Sequence, residues 1–102
     1  TSNNSIFLGY DTRANAAGGT NEIVIGASAI GAGSNSVVLG NDSITKTLLK
    51  GNVGIGTTAP TSKLQVVGLP VYANNAAAVT GGLTAGAFYR TGADPDPVMV
   101  VH

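Results

Sequence analysis

The sequence predicts a mainly β protein: a stack of short strands, one from each turn of a repeat, followed by a small α+β module. Three observations carry that expectation. A short apolar run closed by glycine occurs four times, as Ser5-Ile6-Phe7-Leu8-Gly9, Glu22-Ile23-Val24-Ile25-Gly26, Ser36-Val37-Val38-Leu39-Gly40 and Asn52-Val53-Gly54-Ile55-Gly56. The closing glycines are 17, 14 and 16 residues apart, too long a period for a heptad and too short for a helical repeat, but suited to one turn of a β-solenoid. Finally, 15 of the 102 residues are glycine and only 10% are charged, while 43% are hydrophobic, which is too apolar for a disordered chain.

Within each phrase the side chains alternate faces. Placing the residues on either side of the middle one inward gives two aliphatic columns, Ile6, Ile23, Val37, Val53 and Leu8, Ile25, Leu39, Ile55. The first is wholly β-branched, as stacked strands favour. The middle residues, Phe7, Val24, Val38 and Gly54, vary too much in size for one packed column and are expected to face a neighbouring chain or solvent.

In the second turn, residues 26–40, Ala29 and Gly31 sit where a second short strand needs small side chains. The longer first turn has Gly18-Gly19-Thr20 to absorb its three extra residues. Residues 43–50 read as a longer strand anchored by Leu48 and Leu49, Pro60 stops the ladder, and Lys63-Leu64-Gln65-Val66-Val67 alternates as a further strand. The repeats and this connector define an expected first domain, 1–67. In the second, 68–102, Asn74 or Asn75 caps a helix begun by Ala76-Ala77-Ala78-Val79 and ended by Gly81-Gly82. Strands are expected at Ala87-Phe88-Tyr89-Arg90-Thr91 and Val98-Met99-Val100-Val101, joined by a loop rich in aspartate and proline.

Five basic and five acidic side chains balance, so nothing steers the surface towards nucleic acid or anionic lipid. No apolar run approaches the ~20 residues that span a bilayer, and no membrane insertion is expected. Without cysteine there are neither disulfides nor thiolate metal sites. A chain this small needs some staple, and self-association is the one that remains. The chain starts at Thr1 rather than methionine and shows no signal peptide, so it is expected to be the end of a longer polypeptide.

Residues 26–40, Gly-Ala-Ser-Ala-Ile-Gly-Ala-Gly-Ser-Asn-Ser-Val-Val-Leu-Gly, resemble the head repeat of trimeric autotransporter adhesins of the YadA-like type, a repeat shared by many phage tail-fibre proteins. The resemblance is strong over 22–41 and partial over 5–21 and 41–56. It implies a trimeric left-handed parallel β-roll about a threefold axis, although the uneven repeat lengths depart from a regular roll. Residues 57–66 resemble a connector that follows such repeats in phage and prophage fibres. Residues 69–91, with Tyr72-Ala73-Asn74-Asn75-Ala76-Ala77-Ala78 and Phe88-Tyr89-Arg90-Thr91, resemble a module at the C-terminus of many phage tail-fibre proteins, which implies that His102 ends the protein. Together these resemblances imply a non-catalytic, structural and receptor-binding end of a homotrimeric tail fibre. It would be virion-borne and extracellular, with a host cell-surface glycan or protein as its partner. The alternative is the head of a bacterial trimeric surface adhesin, which the C-terminal module disfavours.

Tyr72, Tyr89, Arg90, Asp94 and Asp96 are the candidate receptor-binding residues, since aromatics beside an arginine make a platform for a sugar or a protein. They serve equally well as an interchain lock. Phe88 is the better candidate for that lock, and Tyr89, on the opposite face, for an exposed contact. Asp94 and Asp96 share one flexible loop and lack the opposed geometry of glycosidic cleavage, so they read as a solvated turn stiffened by proline. His102, the only histidine, reads as a frayed terminal residue rather than as a metal ligand or triad member. Gly31-Ala32-Gly33 and Gly54-Ile55-Gly56 precede no helix and read as turn glycines, not phosphate loops. No catalytic residue, metal or cofactor is expected.

Overall fold

The computed structural model describes residues 4–102. Its order is β1 (Ile6–Leu8), β2 (Glu22–Ile25), β3 (Ser36–Leu39), β4 (Val53–Ile55), β5 (Leu64–Val66), α1 (Asn75–Thr80), β6 (Phe88–Arg90) and β7 (Val98–Val100). The fold is mainly β, in three small sheets. It forms two compact units, Thr1–Leu48 and Leu49–His102. The units therefore divide after Leu48, whereas the change in sequence character comes at Gly68.

In the first unit, β1, β2 and β3 pair in parallel with the register that the repeated phrase implies. Ile6 stands beside Ile23 and Val37, and Leu8 beside Ile25 and Leu39. A second ladder runs on the return side, where Arg13 bridges Ile30 in parallel. The Arg13 amide donates to the Ala29 carbonyl at 3.0 Å, and the Gly31 amide to the Arg13 carbonyl at 2.8 Å. Ala29 and Gly31 are buried there, as their small size led one to expect. The closing glycines are packed as tightly as their recurrence suggests. Gly26 has φ +138°, and a Cβ there would stand 3.1 Å from the Cα of Gly40, so a side chain would force successive turns apart. A column that the glycine pattern does not reveal is Asn4, Asn21 and Asn35, each left-handed with φ between 54° and 62°. Asparagine tolerates that conformation, and the Asn21 amide donates to Asn35 Oδ1 at 2.9 Å.

The faces are the reverse of those expected. Val24 is 0% exposed, whereas Ile6, Leu8, Val37 and Leu39 are 56–62% exposed in the single chain. In the central strand the middle residue Val24 points inward, Val38 is half-buried and Phe7 on the outer strand is still 37% exposed, while the flanking aliphatic residues of β1 and β3 point out. The reason is width: the return side brings Ala29 and Gly31 close, leaving room for valine but not for paired isoleucine and leucine columns. Glu22 shares this interior and is fully buried. Its Oε2 accepts the Gly33 amide at 3.3 Å, its Oε1 has no partner, and a Cβ on Gly19 or Gly31 would collide with the carboxylate.

The strand expected over 43–50 does not form. Ile44, Leu48 and Leu49 are exposed, and the fourth phrase, β4, pairs not with β3 but with β5, in parallel, with Val53 beside Leu64 and Ile55 beside Val66. Strand propensity alone does not make a strand, and residues 43–50 leave the outer edge of β3 unpaired. In the same unit α1 is capped as expected. Asn74 Oδ1 accepts the Ala77 amide at 2.9 Å. At the other end the Gly82 amide reaches the Val79 carbonyl and the Leu83 amide the Ala78 carbonyl, each at 3.0 Å, with Gly82 at φ +103°. These two bonds satisfy carbonyls that the helix leaves unpaired. β6 and β7 pair antiparallel, and Ala78, Tyr89 and Val101 form a core flanked by Tyr72, Leu83, Ala87 and Met99.

Candidate functional site

The candidate residues cluster around β6. Its register sets Phe88 opposite Val100, Tyr89 opposite Met99 and Arg90 opposite Val98. On the other side Val71 bridges Arg90 in parallel, with the Tyr72 amide donating to the Arg90 carbonyl at 3.0 Å and the Arg90 amide to the Pro70 carbonyl at 2.9 Å. Arg90 is therefore fixed by two backbone bonds to the 70–72 segment on one flank and stands in register with Val98 on the other.

Tyr89 is not the exposed contact its position suggested. It is 1% exposed and packs on Ala78 and Val101, with its ring edge-on to Tyr72 at 6.3 Å and 74°. Phe88 stands on the outward face instead, half exposed. The helix decides this: its one buried residue, Ala78, leaves space on the inner face for a large aromatic ring, and aromatic pairs favour the edge-on geometry. Tyr72 is half-buried and its Oη donates to the Gly81 carbonyl at 3.4 Å. A Cβ on Gly81 would collide with the Tyr72 ring. Gly81→Ala is therefore expected to cost about 1–3 kcal/mol by overpacking. This outweighs the ~0.4–1 kcal/mol that alanine otherwise gains over glycine. An unchanged denaturant midpoint would contradict the packing.

Arg90 and Asp96 form an exposed clasp. Arg90 Nη1 donates to Asp96 Oδ2 at 2.8 Å, and the Gly92 amide to Asp96 Oδ1 at 2.8 Å. The Arg90 hydrogen bond, followed by that of the Gly92 amide, holds the Asp96 carboxyl below the ordinary carboxylate range. Asp94, joined to Pro95 by a cis peptide bond, lies exposed in the same loop. The two aspartates thus play different parts: Asp96 ties the loop to β6, and Asp94 faces solvent.

His102 is exposed, yet its backbone is not frayed: its amide donates to Asn75 Oδ1 at 2.9 Å, and its carbonyl accepts from Asn75 Nδ2 at 3.2 Å. Sequence reading did not foresee this amide clasp, although the paired asparagines at 74 and 75, only one of which could cap the helix, were a signal. Among the described residues no group of three or more His, Cys, Asp or Glu side chains stands together as a metal site, and no helix is long and apolar enough to cross a membrane. Comparison with protein-family models, with curated proteins and with solved structures finds no match.

Proposed function

We propose that this chain is the structural, receptor-binding end of a phage tail fibre, non-catalytic, extracellular in the virion, and assembled as a homotrimer of β-rolls. The observation that carries the reading is the pair of aliphatic columns directed out of the stacked turns, which gives a regular apolar wall for other copies to cover.

With Tyr89 in the core, the candidate receptor contacts are Arg90, Asp94 and Asp96, with Tyr72 at their margin. Three copies of a weak site on one fibre end act by avidity. The purified chain, fluorescently labelled, is expected to bind those strains of a bacterial panel that a phage carrying it can infect and to block adsorption of that phage. The double variant Arg90→Ala, Asp94→Ala should keep its native mass and lose attachment steeply, because a modest loss per site is multiplied over three linked sites. Attachment equal to the parent would place recognition elsewhere.

A further inference from the structure

The chain has five basic side chains after which a trypsin-like protease can cut: Arg13, Lys46, Lys50, Lys63 and Arg90. All five are exposed and none precedes a proline, so exposure does not separate them. Backbone pairing does. Arg13 donates its amide to the Ala29 carbonyl at 3.0 Å and accepts the Gly31 amide at 2.8 Å. Arg90 lies within β6, with its amide on Pro70 at 2.9 Å and its carbonyl on Tyr72 at 3.0 Å. The Lys63 carbonyl accepts the Val53 amide at 2.9 Å, and the next residue, Leu64, stands in register with Val53. Residues 45–51, which hold Lys46 and Lys50, make no hydrogen bond among the described residues. They are exposed, lie outside every helix and strand, and cross the division between Thr1–Leu48 and Leu49–His102. We propose that this segment is a proteolytic processing site, cut after Lys46 and Lys50 by a trypsin-like serine protease. The inference stands on the chain's own backbone and goes beyond the attachment and homotrimer readings.

A protease needs the backbone around the cut bond free, so a folded chain is cleaved through local opening. At Arg13, Lys63 and Arg90 that opening breaks backbone bonds between paired segments. At Lys46 and Lys50 there are none to break. The neighbouring side chains suit a cleft as well: Leu48 and Leu49, 73% and 64% exposed, precede Lys50, and Gly51 follows it without bulk. In the reaction the protease serine attacks the carbonyl carbon of Lys46 or Lys50. The bond to the nitrogen of Thr47 or Gly51 breaks, and that nitrogen leaves protonated as an amine. Water then releases the acyl-enzyme as a new carboxylate. Every strand ladder lies wholly within one unit, so neither cut opens one. The consequence is loss of the covalent link between the repeats and the unit that carries Arg90, Asp94 and Asp96.

The test is a timed digestion of the native full-length chain with trypsin, followed by mass spectrometry. Each site's rate is taken relative to a short peptide of the same sequence, which has no ladder to open. Cutting after Lys46 and Lys50 is expected to be about tenfold or more faster than after Arg13, Lys63 or Arg90 on that scale. Two resistant products should accumulate, one starting at Thr1 and the other at Thr47 or Gly51. The double variant Lys46→Gln, Lys50→Gln should stay whole over the same time with the parent's denaturant midpoint, which shows that resistance comes from the lost sites and not from a changed fold. A native chain cut at all five sites at one relative rate overturns the proposal. So does one that resists at Lys46 and Lys50, and native mass measured on the same sample then shows whether an assembly covers the segment.

Discussion

Val24→Asp is expected to abolish folding of the repeat unit. Val24 is 0% exposed, and its strand neighbour on the inner face is Glu22, itself fully buried with an unpartnered carboxylate oxygen. A second carboxylate in that narrow interior adds desolvation and like-charge repulsion to a site with no cation to offset either. The cost is several kcal/mol, against the ~5–15 kcal/mol that separates a folded domain from its unfolded chain. Loss of the cooperative transition in far-ultraviolet circular dichroism checks this. A midpoint within error of the parent would mean that Val24 does not face the interior.

Leu39→Asp is expected to act in another way. The residue is 62% exposed in the single chain, and at a truly free surface such a change stays within ~0.5 kcal/mol. On a wall covered by other copies it buries a charge three times over. The expected outcome is dissociation: the native mass falls towards 10.0 kDa at concentrations where the parent holds together, and the unfolding midpoint falls below the parent's at the same concentration. An unchanged mass and midpoint would leave the aliphatic columns without a partner.

The contrast between these two positions marks what could be read in the sequence. The register was legible, because phrases of one kind at a near-constant period pair like with like, and Ile6, Ile23 and Val37 do stand side by side. Which face is inside was not legible. Alternation says which residues share a face, and aliphatic size suggested the core. What decides is the gap to the return side, set by Ala29 and Gly31, which only the folded turn reveals. The same limit reversed Phe88 and Tyr89, where a three-residue strand alternates but Ala78 of the helix chooses the inward ring. In the C-terminal unit, Arg90 and Asp96 were both visible as candidates, but not as a pair, since the loop between them folds back through Gly92. Residues 43–50 show the opposite failure, with good strand chemistry but no pairing to the open edge of β3.

The central claim is that the outward columns are walls between copies. The most direct measurement is the native mass of the unaltered chain by sedimentation equilibrium across a wide dilution series, paired with its denaturant midpoint at each concentration. The account predicts three times the 10.0 kDa chain mass, persisting on dilution, with a midpoint that rises with concentration as linked folding and assembly require. A single folded chain that unfolds cooperatively at a midpoint independent of concentration would contradict it.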